Sequence, residues 1–134
     1  MERTFVMIKP DAVKRHLAGE VISRLEKRNF NIIAMKMLLP SIELAKEHYK
    51  AHKDQYFYPA LIEYLSSGAV VAMVLECENA ITLARQTIGA TNPLDAVPGT
   101  IRGDLTVTMR ENLVHGSDSP EAAEYEIKLW FPEI

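Results

Sequence analysis

Ala69-Val70-Val71-Ala72-Met73-Val74-Leu75 is an unbroken apolar run rich in β-branched residues. A short run of this kind, bounded by Gly68 and a charged residue soon after, reads as the central strand of a sheet. Upstream, Gly68 closes a helix that starts at Pro59. A polar, aromatic stretch from Lys50 to Tyr58 precedes it, and before that Ser41 caps a helix running to about Tyr49. Asn31 to Leu39, closed by Pro40, is a second strand. Between Gly19 and Phe30, Val21, Ile22 and Leu25 recur at helical spacing with Glu26, Lys27 and Arg28 on the wet side, and Asn29 is a stop signal. Thr4-Phe5-Val6-Met7-Ile8 is the first strand, broken by Lys9-Pro10-Asp11, with a helical turn from Ala12.

Downstream, Asn79 caps a helix that closes at Gly89. From Ala90 to Met109 the chain is rich in Pro, Gly, Thr and Asp with little periodicity, the mark of a long functional or contact-making loop. Leu113 to His115 is the last strand, and Pro120 to Phe131 the last helix, with Ala123, Ile127 and Trp130 on one face. Setting the extra helices aside leaves strand, helix, strand, strand, helix, strand. That order is an α+β, ferredoxin-like split βαβ arrangement: a four-stranded antiparallel sheet with helices on one face, plus additional helices.

Composition narrows the classes. A chain of 134 residues, 48% hydrophobic and 25% charged, makes one globular domain, taken as residues 1–134. Its net charge of −3 argues against non-specific binding to a nucleic-acid backbone, so any phosphate must be held by a few placed cations. The one cysteine, Cys77, has no internal partner, which suits a reducing cytosol. Met1-Glu2-Arg3 leads into a strand rather than a signal peptide, and no apolar run is long enough to span a membrane. There is no P-loop and no Cys/His cluster or Asp-rich loop of metal-site spacing.

The chemistry concentrates in Asn112-Leu113-Val114-His115-Gly116-Ser117-Asp118-Ser119. A strand runs into a tight turn, and a helix opens where Ser119 is a good N-cap and Pro120 fits the first position. Such a turn places His115, a neutral-pH nucleophile, at the mouth of a helix N-terminus that favours an anion.

Asn-x-x-His-Gly-Ser-Asp resembles the active-site signature of the nucleoside diphosphate kinases. Met7-Ile8-Lys9-Pro10-Asp11-Ala12-Val13, Ser66 to Val74, Gly89-Ala90-Thr91-Asn92-Pro93 and Pro98 to Asp104 are similar to that family in the same order. Ala12, Ala69 and the tyrosines Tyr56 and Tyr58 depart from its commonest residues. The family shares the split βαβ fold. The resemblance implies an enzyme that moves the terminal phosphoryl group of a nucleoside triphosphate, usually ATP, to a nucleoside diphosphate through phospho-His115.

The resemblance also distributes roles. His115, Glu126, Ser117 and Lys9 are the catalytic set, the glutamate pairing with the histidine and serine. Lys9, Arg85 and Arg102 match the phosphate-binding cations, although an isolated Arg85 would equally read as a solvated helix face. Thr91 matches a phosphate-binding hydroxyl or is a turn residue before Asn92-Pro93. Asn112, with Lys9, matches the ribose contacts or caps a strand end. Phe57 matches the base-stacking aromatic or is ordinary packing, and stacking suits an enzyme indifferent to the base. Tyr49 matches a tyrosine near the phosphates. Mg²⁺ arrives bound to the nucleotide, with Asp118 either touching it through water or serving the helix N-terminus. His16, His48 and His52 read as structural or solvent-exposed. The implied state is a cytoplasmic homo-oligomer, a hexamer favoured over a tetramer, with Val97-Pro98-Gly99-Thr100 as an intersubunit loop. The competing expectation is a non-enzymatic regulatory or nucleic-acid-binding relative that keeps the fold.

Overall fold

A computed structural model describes residues 1–134. The elements are β1 Glu2–Ile8, α1 Pro10–Lys14, α2 Ala18–Lys27, β2 Asn31–Leu38, α3 Ile42–His48, a 3-10 turn Lys50–His52, α4 Tyr58–Leu65, β3 Val70–Cys77, α5 Ala80–Ile88, α6 Ile101–Leu105, β4 Val114–Gly116 and α7 Pro120–Trp130. The strands form one sheet in the order β2-β3-β1-β4. Every neighbouring pair is antiparallel. With α2 joining β1 to β2 and α5 joining β3 to β4, this is the split βαβ order expected from the sequence.

The two split-βαβ helices lie on one face, as expected, and additional helices cover the other. Val6 and Ile8 of β1 and Val71, Met73 and Leu75 of β3 pack with Val21 and Leu25 of α2 and Ala80, Ala84 and Ile88 of α5. The alternate residues, Phe5, Met7, Val70, Ala72 and Val74, pack on the opposite face against Ala45, Ile62, Leu65, Trp130 and Phe131. The two split-βαβ helices therefore cover one face, and α3, α4 and α7 cover the other. The physical reason lies in β1 and β3, which are apolar at odd and even positions alike, so leaving either face wet would cost about 1.5–3 kcal/mol for each large side chain.

Local chemistry sets most boundaries. Ser41 Oγ accepts the Leu44 N–H and Ser119 Oγ accepts the Ala122 N–H, so both predicted caps are made. Asn29 stops α2 in the left-handed region, at φ 68°. Asn79 caps nothing with its side chain; the Ile81 N–H at that helix start is taken by Glu2 Oε1 from β1. The helix expected to run from Pro59 to Gly68 ends at Leu65, with Ser66 as its C-cap. The stretch expected to be irregular from Ala90 to Met109 contains α6, which Thr100 nucleates by accepting the Gly103 N–H on Oγ1. One turn is too short to show periodicity in sequence.

Candidate active site

Sheet order brings the site together. β4 pairs with β1 so that His115 lies opposite Met7. Directly opposed residues share a face, and the Met7 face is the one covered by α3 and α7. His115 thus meets Glu126 on α7, His48 at the end of α3 and the Phe5 ring, whose centroid is 5.9 Å away. These groups border a cavity of about 650 Å³ that also receives Lys9, Tyr49, Arg85, Thr91, Arg102 and Asn112. Segments from both ends of the chain and its middle converge there.

The His115 side chain is held on one edge. Its Nε2 lies 2.9 Å from Glu126 Oε1, and the Ser117 hydroxyl donates to that same oxygen over 2.6 Å. Ser117 is fully buried, and its own N–H donates to Phe5 O. A buried carboxylate that accepts from Nε2 fixes the Nε2–H tautomer of a neutral imidazole. Nδ1 then keeps its lone pair. The first turn of α7 borders the cavity through Glu121 and Ala122, but the contact to His115 comes from Glu126, farther along the helix.

The cations are deployed differently from one another. Lys9, buried at the end of β1, donates to Asn112 Oδ1 over 2.7 Å. Burial, with the nearby Arg102 charge, lowers its pKa to about 8, and Asp11 opposes that only in part. Arg102 spends its guanidinium on main chain: Nε donates to Asn112 O, one terminal nitrogen to Gly89 O and the other to Val114 O over 2.6 Å. Burial, then the Arg85 charge, lowers its pKa to about 10. Arg85 is exposed and donates to Gly116 O, so its remaining N–H groups are open to the cavity. Tyr49 is kept a hydroxyl donor, its pKa pushed up to about 12 by burial and then by Glu126.

A strained residue underlies this placement. Leu113 is fully buried with φ 71°, a conformation that costs a leucine about 1–3 kcal/mol. Its carbonyl accepts the Lys9 N–H and its own N–H donates to Asp11 Oδ2, while Asp11 also accepts from the Tyr64 hydroxyl. Asp11 is buried, and burial raises its pKa even though the Leu113 N–H opposes the shift. The kink so held turns Asn112 toward Lys9. Neither Asp11 nor Tyr64 was singled out from the sequence, since an aspartate after Lys-Pro reads as a helix-start residue.

Not every expected residue arrives. Thr91 borders the cavity with its side chain exposed. Asn112 accepts from Lys9 and donates from Nδ2 to Met109 O, which is more than a strand-end cap. Phe57 lies outside the lining, half-buried at the start of α4, with the ring of His52 5.7 Å away. The 3-10 turn puts Lys50, Ala51 and His52 against the cavity instead. His16 is exposed, as expected. His52 is solvent-exposed and His48 buried, as expected, and both also line the cavity that holds His115. Helical periodicity puts His48 on the buried face of α3 but cannot show what lies opposite. Glu47 and Tyr125, also missed, meet on the rim, where the tyrosine hydroxyl donates to Glu47 O and Oε2.

His48, His115 and Glu126 offer ligand atoms within 4.8 Å of one another. They do not fit a metal ion. Trp130 Nε1 donates to His48 Nδ1, so the neutral ring carries its proton at Nε2 and has no lone pair left for a cation.

Comparisons with known proteins cover nearly the whole chain. A family model described as nucleoside diphosphate kinase matches residues 2–134. A nucleoside diphosphate kinase of Symbiobacterium thermophilum is 58% identical over 134 residues, covering 100% of this chain and 89% of that protein. One from Archaeoglobus fulgidus is 55% identical over 133 residues, covering 99% and 88%. The crystal structure of nucleoside diphosphate kinase from Encephalitozoon cuniculi aligns with a TM-score of 0.95 at 45% identity over 98% of this chain and 89% of that one. A nucleoside diphosphate kinase family protein from Babesia bovis aligns at 0.97, with 42% identity, over 99% and 90%.

Proposed function

The chain belongs to the nucleoside diphosphate kinase family and is a phosphotransferase acting on nucleotides; from that premise we propose that His115 carries the phosphoryl group on Nδ1. One observation supports this above the others: Glu126 and Ser117 engage Nε2 and its carboxylate partner, which leaves Nδ1 as the free nucleophilic atom beside the cavity. Its lone pair attacks the terminal phosphorus of the triphosphate, the bond to the bridging oxygen breaks, and the diphosphate leaves with that electron pair. Nε2–H remains on the ring, and the positive charge gained by the imidazole is stabilised by Glu126. A second diphosphate then reverses the step. One site serves both halves, so the kinetics are ping-pong.

Arg85, Arg102 and Lys9 stabilise the phosphate oxygens, with Thr91 and Tyr49 as neutral donors. Lys9 and Asn112 also meet the ribose. The base stacks on Phe57 at the mouth of the cavity, beside the lining residue His52. A divalent metal enters as part of the nucleotide substrate. We assign Mg²⁺, which would be held by the nucleotide's phosphate oxygens and would neutralise part of their charge.

Residues 1–134 act as one kinase domain, a reading supported by the extent of the family match. We further propose a cytoplasmic homo-oligomer, a hexamer in preference to a tetramer. Met35 and Met37 are exposed on the edge strand β2 and Leu39 just after it, and Leu94 and Val97 are exposed in the loop before α6. Such surfaces support association of copies. No helix is long and apolar enough to cross a membrane.

The test is labelling. Incubation with Mg²⁺ and γ-labelled ATP, without acceptor, gives a label on His115 that is lost in acid and survives alkali, and GDP moves it to GTP. His115→Gln takes up no label. Label on Ser117, or full turnover by the glutamine variant, overturns the mechanism.

A further inference from the structure

His48 has one polar atom engaged and one free. Trp130 Nε1 donates to its Nδ1 over 3.1 Å, and a neutral imidazole that accepts at Nδ1 carries its proton at Nε2. That N–H has no partner within the protein. The residue is only 9% exposed, and it borders the cavity. The His115 ring stands almost perpendicular to it, 4.8 Å away between centroids. Burial, reinforced by the charges of His115, Lys9 and His52, holds the His48 pKa well below the usual histidine range. The side-chain polar atoms sealed from solvent without a partner are Thr4 Oγ1 and Thr106 Oγ1, so His48 Nε2 is open to the cavity and free to donate to an acceptor that enters it.

We propose that His48 donates its Nε2–H to an oxygen of the phosphoryl group carried on His115, and that Trp130 selects the tautomer that makes this possible. The inference rests on the phosphohistidine reading above. Its chemistry differs from that of the cations. A positive charge in contact with His115 opposes the charge that the imidazole gains on attack, whereas a neutral N–H binds the phosphoryl oxygen without that repulsion. Lys9, Arg85 and Arg102 supply charge to the cavity; His48 supplies a directed hydrogen bond at the carrier. No covalent bond to His48 forms or breaks.

Two substitutions separate the two nitrogens. His48→Asn leaves an acceptor near the Nδ1 position for Trp130 but removes the far donor; His48→Gln places an amide N–H near the Nε2 position. With Mg²⁺ and ATP in single-turnover experiments, His48→Asn is expected to phosphorylate His115 about tenfold to a hundredfold more slowly, the loss of one hydrogen bond to a charged group. The phosphohistidine ³¹P resonance shifts with it. His48→Gln recovers most of the rate, and Trp130→Phe, which releases the tautomer, falls between. A wild-type rate and an unshifted ³¹P resonance in folded His48→Asn overturn the role of His48. If that variant fails to fold, ¹⁵N spectra of the wild-type protein decide: the His48 Nε2 resonance moves when His115 is phosphorylated, and an unmoved resonance overturns the proposal. A wild-type protein that takes no label on His115 overturns instead the reading on which the proposal rests.

Discussion

Lys9 Nζ donates to Asn112 Oδ1 over 2.7 Å, joining residues 103 positions apart in the chain. The lysine leaves water for a neutral partner, which explains a pKa near 8. Its sign has two opposite consequences. Between about pH 8 and the unfolded value of 10.5, the unfolded chain binds the extra proton, so this group makes stability rise with pH across that window and contributes a constant penalty below it. Phosphate binding needs the charged form. The expected outcome is a kcat/KM that falls above about pH 8 while kcat, measured with nucleotide already bound, falls at higher pH. Profiles of wild type against Lys9→Met isolate the group; identical profiles remove Lys9 from binding.

Glu126 accepts from both His115 and Ser117, so the two bonds are not independent. Glu126→Gln keeps an oxygen in reach but loses the charge opposite the nascent imidazolium. It is expected to lower kcat about tenfold to a hundredfold with little change in nucleotide affinity. Ser117→Ala costs less, and in the double variant the losses fall short of their sum. Additive losses in steady-state kinetics contradict a shared carboxylate oxygen.

Arg102 bonds three carbonyls, those of Gly89, Asn112 and Val114. Lysine cannot reproduce that fork. Arg102→Lys is expected to lose about 2–4 kcal/mol of stability, because buried acceptors go unpaired, and to lose activity as well. Urea unfolding gives the first figure. An Arg102→Lys protein as stable as wild type but inactive assigns the residue to phosphate binding alone.

Phe57 stands outside the cavity lining, with the ring of the lining residue His52 5.7 Å away. If the base stacks there, Phe57→Ala costs about 1–3 kcal/mol of nucleotide binding for every base alike. Calorimetry with adenine, guanine and pyrimidine diphosphates tests this. A loss confined to one base shows that the edge of the base is read elsewhere.

Met37 is 61% exposed on the edge strand β2, so a charge there disturbs no core of the single chain. Met37→Glu is expected to dissociate the assembly while leaving the fold intact. Light scattering of the wild type above 15.1 kDa, reduced in the variant, is the expected result. A wild type that is already monomeric at micromolar concentration ends the oligomer proposal.

Apart from the one-turn α6, the type and order of the main elements were legible in the sequence because both are written locally. The apolar runs of β1, β2 and β3, the caps at Ser41 and Ser119 and the stop at Asn29 act within a few residues. The His-Gly-Ser-Asp turn and the separated motifs were legible for another reason: their residue types and order match a known family, and the family match spans residues 2–134. What periodicity could not state was which helices lie on which face, because a strand apolar on both sides does not say who covers it. Tertiary structure alone decided that His115 shares a face with Met7, and hence with Glu126, His48 and Trp130. It decided, too, which imidazole nitrogen is free, since that depends on a carboxylate two turns into another element. The left-handed Leu113, the Asp11 acceptor and the fork of Arg102 are likewise invisible in the chain, for each is a contact between residues far apart in it, and sequence spacing carries no distance through space.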